Sequence, residues 1–488
     1  MSCIRDGDSL AVGGFGVAGA PVRLMRAVVA SDATDLTLIA NNGALFDWQM
    51  GELLDQGRVR RVIASHIGLN RRLERAFRAG DVDVELVPQG TLVERLRAGG
   101  AGLPAFFTTA GAGTLVEYGG LPSRYDAFGA VLAASQAKEA RDFGDVHAVL
   151  EHSLRPDVCL VRAAIGDSAG NLVYHQSARN FNPVWASAGK WVVAEVEHLV
   201  DVGDIDPEQV HTPGIYVDAV VEVGADDKRF ELPWHDVRAG DSDNPDDAAR
   251  HRIARRAARE LTPGSYVNLG VGIPTLVPLY VEDLTAVVLQ SENGVVGLGA
   301  APERHAASHD LVDASKRPAS VLPGAAFVDS ASAFAMIRGG RLDLTILGGM
   351  QVSERGDLAN WMVPGKAVAG MGGAMDLVAG ARRVVVATMH HDPQGRSKLV
   401  QECTYPLTGA RVVDRVITEK AVIDVTPDGF VLRELAPGVT VNEIIQDAGV
   451  RILVPEPPVA MEPWTQSPAA PVLRSSEMVA ESLRKETA

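Results

Sequence analysis

"SLAVGGFGVAGAPVRLMRAVVASDATDLTLIANNG" (residues 9–43) contains two apolar strand patterns, separated by a glycine-rich turn and a segment with apolar residues at helical spacing. This order predicts a βαβ unit with two parallel strands. Further short apolar runs continue the alternation along the chain: "VDVELVP" (82–88), "RLDLTILGG" (341–349) and "RRVVVATM" (382–389). The sequence therefore predicts an α/β protein with largely parallel sheets.

Length, charge and cysteine content narrow the class of protein. A chain of 488 residues is longer than one hydrophobic core usually serves, so we expect two domains. The net charge of -16 disfavours nucleic acid and anionic membranes as partners. Three widely spaced cysteines, the lack of a signal-peptide pattern and the lack of a long apolar segment predict a cytoplasmic protein with no membrane span.

A polar stretch, "AGDSDNPDDAAR" (239–250), marks the predicted boundary between the domains. Asn244 is a good helix cap and Pro245 suits the first helical position. We predict domains at residues 1–240 and 241–454, followed by a proline-rich, mobile tail at 455–488. The arginine-rich pattern at 250–260 is interpreted as a solvated helix with one apolar face, not as a nucleic-acid site.

The two halves contain similar stretches. "DGDSLAVGGFGVAGAP" (6–21) and "PGSYVNLGVGIP" (263–274) each combine a turn, a strand pattern and a glycine-rich loop closed by proline. "LTLIANNG" (36–43) and "AVVLQSENG" (286–294) follow at similar distances. The repeat predicts two similar open α/β domains and sets Glu292 opposite Asn41. Only one half carries a carboxylate at this position.

The glycine-rich loop "GFGVAG" (14–19) fits the pattern GxGxxG between a strand and a helix. Binding of a nicotinamide dinucleotide would usually add an acidic residue at the end of the next strand, where this chain has Asn41 and Asn42. Three interpretations stay open from the pattern: a dinucleotide site, a purely structural loop, and a cradle of N–H groups for another anionic ligand.

Glu292 follows the apolar run "LTAVVLQ" (284–290), which we expect to be a central strand. Ligands of open α/β sheets bind at the carboxyl ends of strands, and glutamate is a poor turn former. The carboxylate could serve as a base, a metal ligand or a nucleophile, or could simply stabilise a turn. Neither His305, His309 and Asp310 nor "MHHD" (389–392) forms a compact ligand motif, so we predict no metal site.

Several longer motifs resemble the family I coenzyme A transferases, in particular the fused succinyl-CoA:3-oxoacid CoA-transferases. The resemblance extends from about residue 6 to about residue 454. Residues 6–21 match the first family signature, and "LQSENGVVG" (289–297) matches the second, with Glu292 at the catalytic glutamate. The other similar stretches are "ELVPQGTLVERLRAGGAGLPAFFT" (85–108), "SARNFNP" (177–183), "VHTPGIYV" (210–217), "FAMIRGG" (334–340), "GDLANWMVPGK" (356–366) and "GMGGAMDLV" (370–378).

The resemblance implies a ping-pong reaction in which Glu292 attacks the thioester carbonyl of an acyl-CoA and becomes a glutamyl-CoA thioester. It also implies an oxyanion hole from the Gln89 side-chain amide and the Gly373 N–H. The acyl pocket is expected near Asn41, Asn42 and Asn293. The loop associated with CoA comprises Gly13, Gly14, Phe15, Gly16, Val17, Ala18 and Gly19.

The same resemblance implies that acyl-CoA and a carboxylic acid are the substrates, that no metal or redox cofactor is needed, and that the enzyme is a homodimer. Succinyl-CoA and an acetoacetate-like acid are the expected pair. Other short acids, such as 3-oxoadipate or acetate, are alternatives, as is an acyl-CoA hydrolase in which water intercepts the glutamyl thioester. A non-enzymatic sugar-phosphate or nucleotide sensor is the alternative from another class of protein.

Overall fold

A computed structural model describes residues 4–42, 49–68, 70–224, 244–365 and 369–461. The first half contains the strands β1 (Ser9–Val12), β2 (Leu36–Asn42), β3 (Val59–His66), β4 (Asp83–Leu86), β5 (Ala105–Thr108), β6 (Pro122–Tyr125), β7 (Val131–Ala134), β8 (Ala140–Phe143), β9 (Val146–His152), β10 (Val158–Asp167), β11 (Leu172–Val173), β12 (Trp191–Val200) and β13 (Ala219–Glu222). Its helices are α1 (Val22–Val29), α2 (Gln49–Asp55), α3 (Arg71–Ala79), α4 (Gln89–Gly100), α5 (Leu115–Tyr118) and α6 (Asn182–Ala188).

The second half contains the helices α7 (Pro245–Ala258), α8 (Ser330–Arg338), α9 (Ala374–Gly380) and α10 (Val441–Ala448). Its strands are β14 (Tyr266–Leu269), β15 (Val288–Gln290), β16 (Val295–Leu298), β17 (Val321–Phe327), β18 (Leu344–Leu347), β19 (Gln351–Ser353), β20 (Leu358–Ala359), β21 (Val384–Ala387), β22 (Leu399–Val400), β23 (Arg415–Ile417), β24 (Ala421–Thr426), β25 (Gly429–Leu435), β26 (Ile452–Leu453) and β27 (Val459–Ala460).

The main sheet of the first half has the strand order β13-β12-β10-β1-β2-β3-β4, and each neighbouring pair in this order is parallel. Every residue of β2 is buried, as expected for a central parallel strand covered on both faces. Helix α1 connects β1 to β2 and buries Val22, Met25 and Val28, which recur at helical spacing. The predicted βαβ unit is confirmed.

The main sheet of the second half combines a parallel centre with antiparallel flanks. Its central order, β15-β14-β18-β21-β23, is parallel, while β16 and β17 on one side and β24 and β25 on the other pair antiparallel. The predicted α/β class with two largely parallel sheets is confirmed. The connection from β14 to β15 contains a 3₁₀ helix, Ile273–Tyr280, whose Pro274 and Pro278 lack the N–H groups of a regular helix.

The two halves pack against each other through an apolar helix layer. Helix α4 of the first half lies against α8 and α9 of the second half. Leu92 and Leu96 of α4 belong to the same buried cluster as Phe334 and Ile337 of α8. Burial of this apolar surface holds the two sheets in a fixed relation and brings the carboxyl ends of β2, β3 and β15 to one cleft.

Helix α7 begins as predicted, because the Asn244 side chain accepts a hydrogen bond from the Asp246 N–H at 3.0 Å. Arg256 of this helix is buried and bonded to Glu260 and Glu434, so it serves packing within the second half.

Within the described residues, no helix is long and apolar enough to cross a membrane.

The predicted boundary at residues 240 and 241 lies outside the described residues. The predicted mobile tail from Pro455 differs from the structure in its first part, since β27 pairs with β25 and Met461 is buried. Strand pairing and burial of the Met461 side chain fix this segment. Residues 462–488 lie outside the described part of the chain.

Candidate active site

A cleft of about 1210 Å³ lies between the two halves at the carboxyl ends of their parallel strands. Its volume exceeds that of a typical pocket for a small ligand, so it has room for a large one. The first half contributes Phe15, Asn41 and Gln89, and the second half contributes Glu292 and Gly373. The predicted catalytic residues therefore meet at one place.

Glu292 occupies the tight turn that joins β15 to β16. The N–H of Ser291 donates to the carbonyl of Val295 at 2.8 Å, and the N–H of Gly294 donates to the carbonyl of Ser291 at 3.0 Å. Gly294 has a φ of +96°, and a Cβ there would lie 1.8 Å from the carbonyl oxygen of Val328. Glycine is required at this position, and the turn directs Glu292 into the cleft.

The environment of Glu292 favours its neutral form. The side chain is half-buried by its accessible surface but densely surrounded by protein, and this desolvation raises its pKa to about 7. The ammonium of Lys316 opposes the shift, whereas the buried carboxyl of Asp376 adds to it. A carboxyl that titrates near neutral pH in a cleft is a candidate for catalysis.

Lys316 is a site residue that the sequence motifs did not predict. It has a φ of +65°, a conformation uncommon for a residue other than glycine, and its Nζ lies 5.6 Å from the centre of the Phe15 ring. Burial lowers the pKa of its ammonium, and the carboxylates of Glu292 and Asp313 oppose that shift. Lys316 therefore interacts with Phe15 in the glycine-rich loop of the first half and with the Glu292 carboxylate of the second half.

Gln89 and Gly373 lie beside the Glu292 carboxylate, and their role as oxyanion-hole donors stays a prediction. A Cβ on residue 373 would lie 2.5 Å from Oε1 of Glu292 and 3.2 Å from Oε1 of Gln89. The loop before Gly373 is fixed by the first half, because Gly372 donates its N–H to Ser65 at 3.0 Å and accepts from the N–H of Gln89 at 2.9 Å. Only glycine fits between the two side chains.

Asp376 ties the same region together from the second half. Its fully buried carboxylate accepts a hydrogen bond from the N–H of Gly90 at 2.9 Å and lies 3.6 Å from the guanidinium of Arg338. Desolvation raises its pKa to about 6, although Arg338 opposes this. Asp376 therefore holds the start of α4, including Gln89, against the start of α9.

The structure brings two of the three predicted acyl-pocket asparagines to the cleft. Asn41 and Asn42 line it, and Oδ1 of Asn41 accepts a hydrogen bond from Nε2 of Gln89 at 2.8 Å. Asn293 is fully buried behind the turn, where its Nδ2 donates to the carbonyl of Val312 at 2.7 Å. Asn293 therefore supports the loop opposite and does not reach the cleft wall.

Within the glycine-rich loop, Phe15 reaches the cleft. Phe15 and Ala18 exchange backbone hydrogen bonds of 3.0 and 3.2 Å, which close a tight turn. Nδ2 of Asn182 donates to the carbonyl of Gly19 at 2.9 Å and that of Asn180 to the carbonyl of Ala18 at 3.0 Å. The "SARNFNP" stretch therefore holds this loop in shape, and the role of residues 13–19 in CoA binding stays a prediction.

Asp447 of α10 lies beside the two histidines of the "MHHD" stretch, so the three side chains could together serve as metal ligands. A ring nitrogen of His390, one of His391 and a carboxylate oxygen of Asp447 lie within 4.8 Å of one another. Lys420 already neutralises Asp447, since its Nζ lies 2.5 Å from Oδ2. Asp310 pairs with His175 at 3.0 Å. Among the described residues, Asp447 thus has a lysine partner and Asp310 a histidine partner.

Comparison with known proteins agrees with this geometry. Residues 1–223 and 250–447 match the family model described as coenzyme A transferase. The chain belongs to the coenzyme A transferase family. A human relative, succinyl-CoA:3-ketoacid coenzyme A transferase 2, mitochondrial, is 46% identical over 454 residues, which cover 92% of this chain and 88% of that protein.

Two further comparisons concern one half of the chain and nearly the whole chain, respectively. A relative from Mycobacterium bovis, named as one subunit of a probable succinyl-CoA:3-ketoacid coenzyme A transferase, is 53% identical over 228 residues, which cover 47% of this CoA-transferase and 92% of that protein. The crystal structure of the acyl-CoA transferase YdiF from Escherichia coli O157:H7 has a TM-score of 0.76 at 22% identity, covering 94% of this chain and 93% of that one. The predicted family and the predicted enzyme class are confirmed.

Proposed function

We propose that this CoA-transferase moves CoA between succinyl-CoA and a short 3-oxoacid through a glutamyl-CoA thioester on Glu292. The observation that carries the proposal is the convergence of Glu292, Gln89 and Gly373 in one cleft from both halves of the chain. The choice of substrates is supported by the names of the human and mycobacterial relatives.

In the proposed first half-reaction, the ionised carboxylate of Glu292 attacks the thioester carbonyl of the acyl-CoA. The C–S bond breaks, which gives an acyl-glutamyl anhydride and the CoA thiolate. The thiolate then attacks the glutamyl carbonyl, so that the first acid leaves as a carboxylate and CoA is held as a thioester of Glu292. An incoming acid reverses these steps and leaves as the new acyl-CoA.

Each attack places negative charge on a carbonyl oxygen beside Glu292. The Gln89 amide carries two N–H groups, one of which already bonds to Asn41, so the second can face the oxyanion. The Gly373 N–H belongs to the start of α9, where the helix dipole favours negative charge. In the proposed mechanism these donors stabilise the oxyanion, and Lys316 stabilises the ionised form of Glu292 and an acid carboxylate beside it.

The proposed chemistry uses acyl-CoA and a carboxylic acid as substrates and needs no resident metal or redox cofactor, because Glu292 itself carries the transferred group. We also propose a homodimer in the cytoplasm. The human relative is named mitochondrial, and the mycobacterial relative is named as a subunit of its transferase.

Product analysis tests the proposed function. We expect acetoacetyl-CoA and succinate to form in equal amounts when acetoacetate is present, and almost no free CoA to be released in either sample, because in the proposed mechanism an acid and not water attacks the glutamyl thioester. The two acyl-CoA species and free CoA are quantified by chromatography, with and without acetoacetate. Free CoA released at the same rate in both samples would mean a hydrolase.

The rate of the first half-reaction should depend on pH through Glu292. Below a pKa of about 7 the carboxyl is mostly protonated, so the rate should rise about tenfold per pH unit and level off above it. Asp376→Asn removes a negative charge that raises this pKa, so its midpoint should move to lower pH. Lys316→Met removes a positive charge that lowers the pKa, so its midpoint should move to higher pH.

Rapid-quench measurement of CoA attachment to the enzyme at limiting acyl-CoA, from pH 5 to 9, reports these midpoints. Shifts of the two variants in the same direction, or a wild-type profile that is flat across pH 7, would contradict the electrostatic account.

A further inference from the structure

His66 lies in the cleft at the carboxyl end of β3. Its backbone is fixed on both sides, since Ile67 donates its N–H to the carbonyl of Ala369 at 2.6 Å and the carbonyl of Ser65 accepts from Gly372 at 3.0 Å. These contacts attach His66 to the segment that carries Gly373. The imidazole therefore has a defined position beside the proposed oxyanion hole.

The two ring nitrogens of His66 have different surroundings. Nδ1 is fully covered and has no hydrogen-bond partner among the described residues. Because the ring nevertheless lines the cleft, the edge that meets the cleft is the one with Nε2. A buried N–H without an acceptor is rarer and costlier than a buried lone pair without a donor, so the ring favours the tautomer with its proton on Nε2.

The ring is also uncharged. Burial, together with the nearby ammonium of Lys316, lowers the pKa of His66 to about 4. Lys316 also acts on Glu292, so its ammonium lies near both groups. The segment 370–373 contacts both residues, since a Cβ on Gly370 would lie 2.7 Å from Cα of His66 and a Cβ on Gly373 would lie 2.5 Å from Oε1 of Glu292. A short ligand attached at Glu292 therefore lies beside the neutral N–H donor of His66 in the same cleft.

Unpaired polar atoms of the neighbouring strand point to the same region. Nδ2 of Asn41 and Oδ1 of Asn42 are buried and have no partner in the described part of the chain. Both residues line the cleft. Native proteins pair nearly all buried polar groups, so this concentration indicates a polar ligand at the carboxyl ends of β2 and β3.

We infer that His66 is a specificity-determining residue whose Nε2–H donates a hydrogen bond to the oxygen on carbon 3 of the acceptor acid. The inference rests on the proposed function and narrows it to acids with a carbonyl oxygen at that position. A site that forms a hydrogen bond to such an oxygen discriminates against an acid of equal length that lacks it.

The experiment compares acetoacetate with butyrate, which has the same chain length without the 3-oxo group, as acceptors from succinyl-CoA. His66→Phe keeps a ring but removes the donor, and His66→Gln keeps an amide N–H at about the reach of Nε2. For His66→Phe we expect kcat/KM to fall by about 10- to 100-fold with acetoacetate and by less than about threefold with butyrate. His66→Gln should restore most of the difference.

Equal losses with both acids leave the ratio of kcat/KM for acetoacetate to kcat/KM for butyrate unchanged in His66→Phe. This result would show a merely structural role and overturn the inference. The proposed function is tested separately by the wild type. A wild-type enzyme that transfers CoA to neither acid overturns the proposed function and the inference together. A wild type that transfers CoA, with the same acid ratio as His66→Phe, overturns only the inference.

Discussion

Glu292→Gln should lower the rate of CoA transfer by about 10⁴-fold or more, because a neutral amide cannot form the anhydride and thioester intermediates. The substitution changes little in size, and Glu292 lies in a turn that is held by hydrogen bonds between backbone groups. We therefore expect the variant to fold and to keep its affinity for CoA. Steady-state transfer rates and binding of CoA by calorimetry measure the two effects separately.

Glu303→Gln is the matched control for this substitution. Glu303 follows β16 in the same half, but its side chain is 69% exposed and pairs only with His305 among the ion pairs of the described residues. The control should retain the wild-type rate within about twofold, because this exposed side chain does not line the cleft. Comparable losses in the two variants would contradict a specific role for Glu292.

Gly373→Ala is expected to have the second largest effect. The added Cβ would lie 2.5 Å from Oε1 of Glu292, so the carboxylate or the α9 loop must move. Displacement of one oxyanion donor should lower kcat by about 10²- to 10³-fold, with a smaller change in KM. The adduct-forming half-reaction, followed by rapid quench, isolates this step from product release.

Gly348→Ala adds the same methyl group elsewhere in the cleft. A Cβ on residue 348 would lie 3.8 Å from its nearest neighbour, the carbonyl oxygen of Val271, which is ordinary contact. We expect kcat to stay within a few fold of the wild type because no oxyanion donor moves. A Gly373→Ala variant with the kcat of Gly348→Ala would contradict the proposed oxyanion hole.

Local features of this protein are predictable from its sequence because their causes lie within a few residues. The cap of α7 depends on Asn244 and Asp246 alone, and the βαβ unit follows from periodicity between residues 9 and 42. Glu292 is identifiable because it follows an apolar strand and precedes Gly294, whose positive φ a turn requires. These features leave the chemical role of the carboxylate open, and its proposed role as nucleophile rests on the resemblance to the family signature.

The electrostatic part of the site is not predictable in the same way. Lys316 has no local signal, because a lysine in a turn usually faces solvent, and its importance arises from contact with Phe15 of the other half. Asp376 depends on a similar long-range contact with Gly90. His66 is an ordinary strand-end residue until the packing of β3 against the segment before Gly373 becomes visible.

Asn293 is a residue that the sequence places in the acyl pocket but the structure does not. Its position next to Glu292 in the sequence predicts a place in the acyl pocket, but successive residues of a turn point in different directions. The side chain turns inward to Val312, whereas that of Glu292 lines the cleft. Adjacency in sequence therefore does not establish adjacency in the site.

The most direct test of covalent catalysis is a mass spectrum of the enzyme after incubation with succinyl-CoA in the absence of an acceptor acid. The sample is quenched in acid and digested with pepsin, which keeps a thioester intact. We predict that CoA is attached to the peptide that contains Glu292, and that the adduct is lost on addition of acetoacetate and absent from Glu292→Gln. A wild-type enzyme that transfers CoA while this peptide stays unmodified would contradict the account.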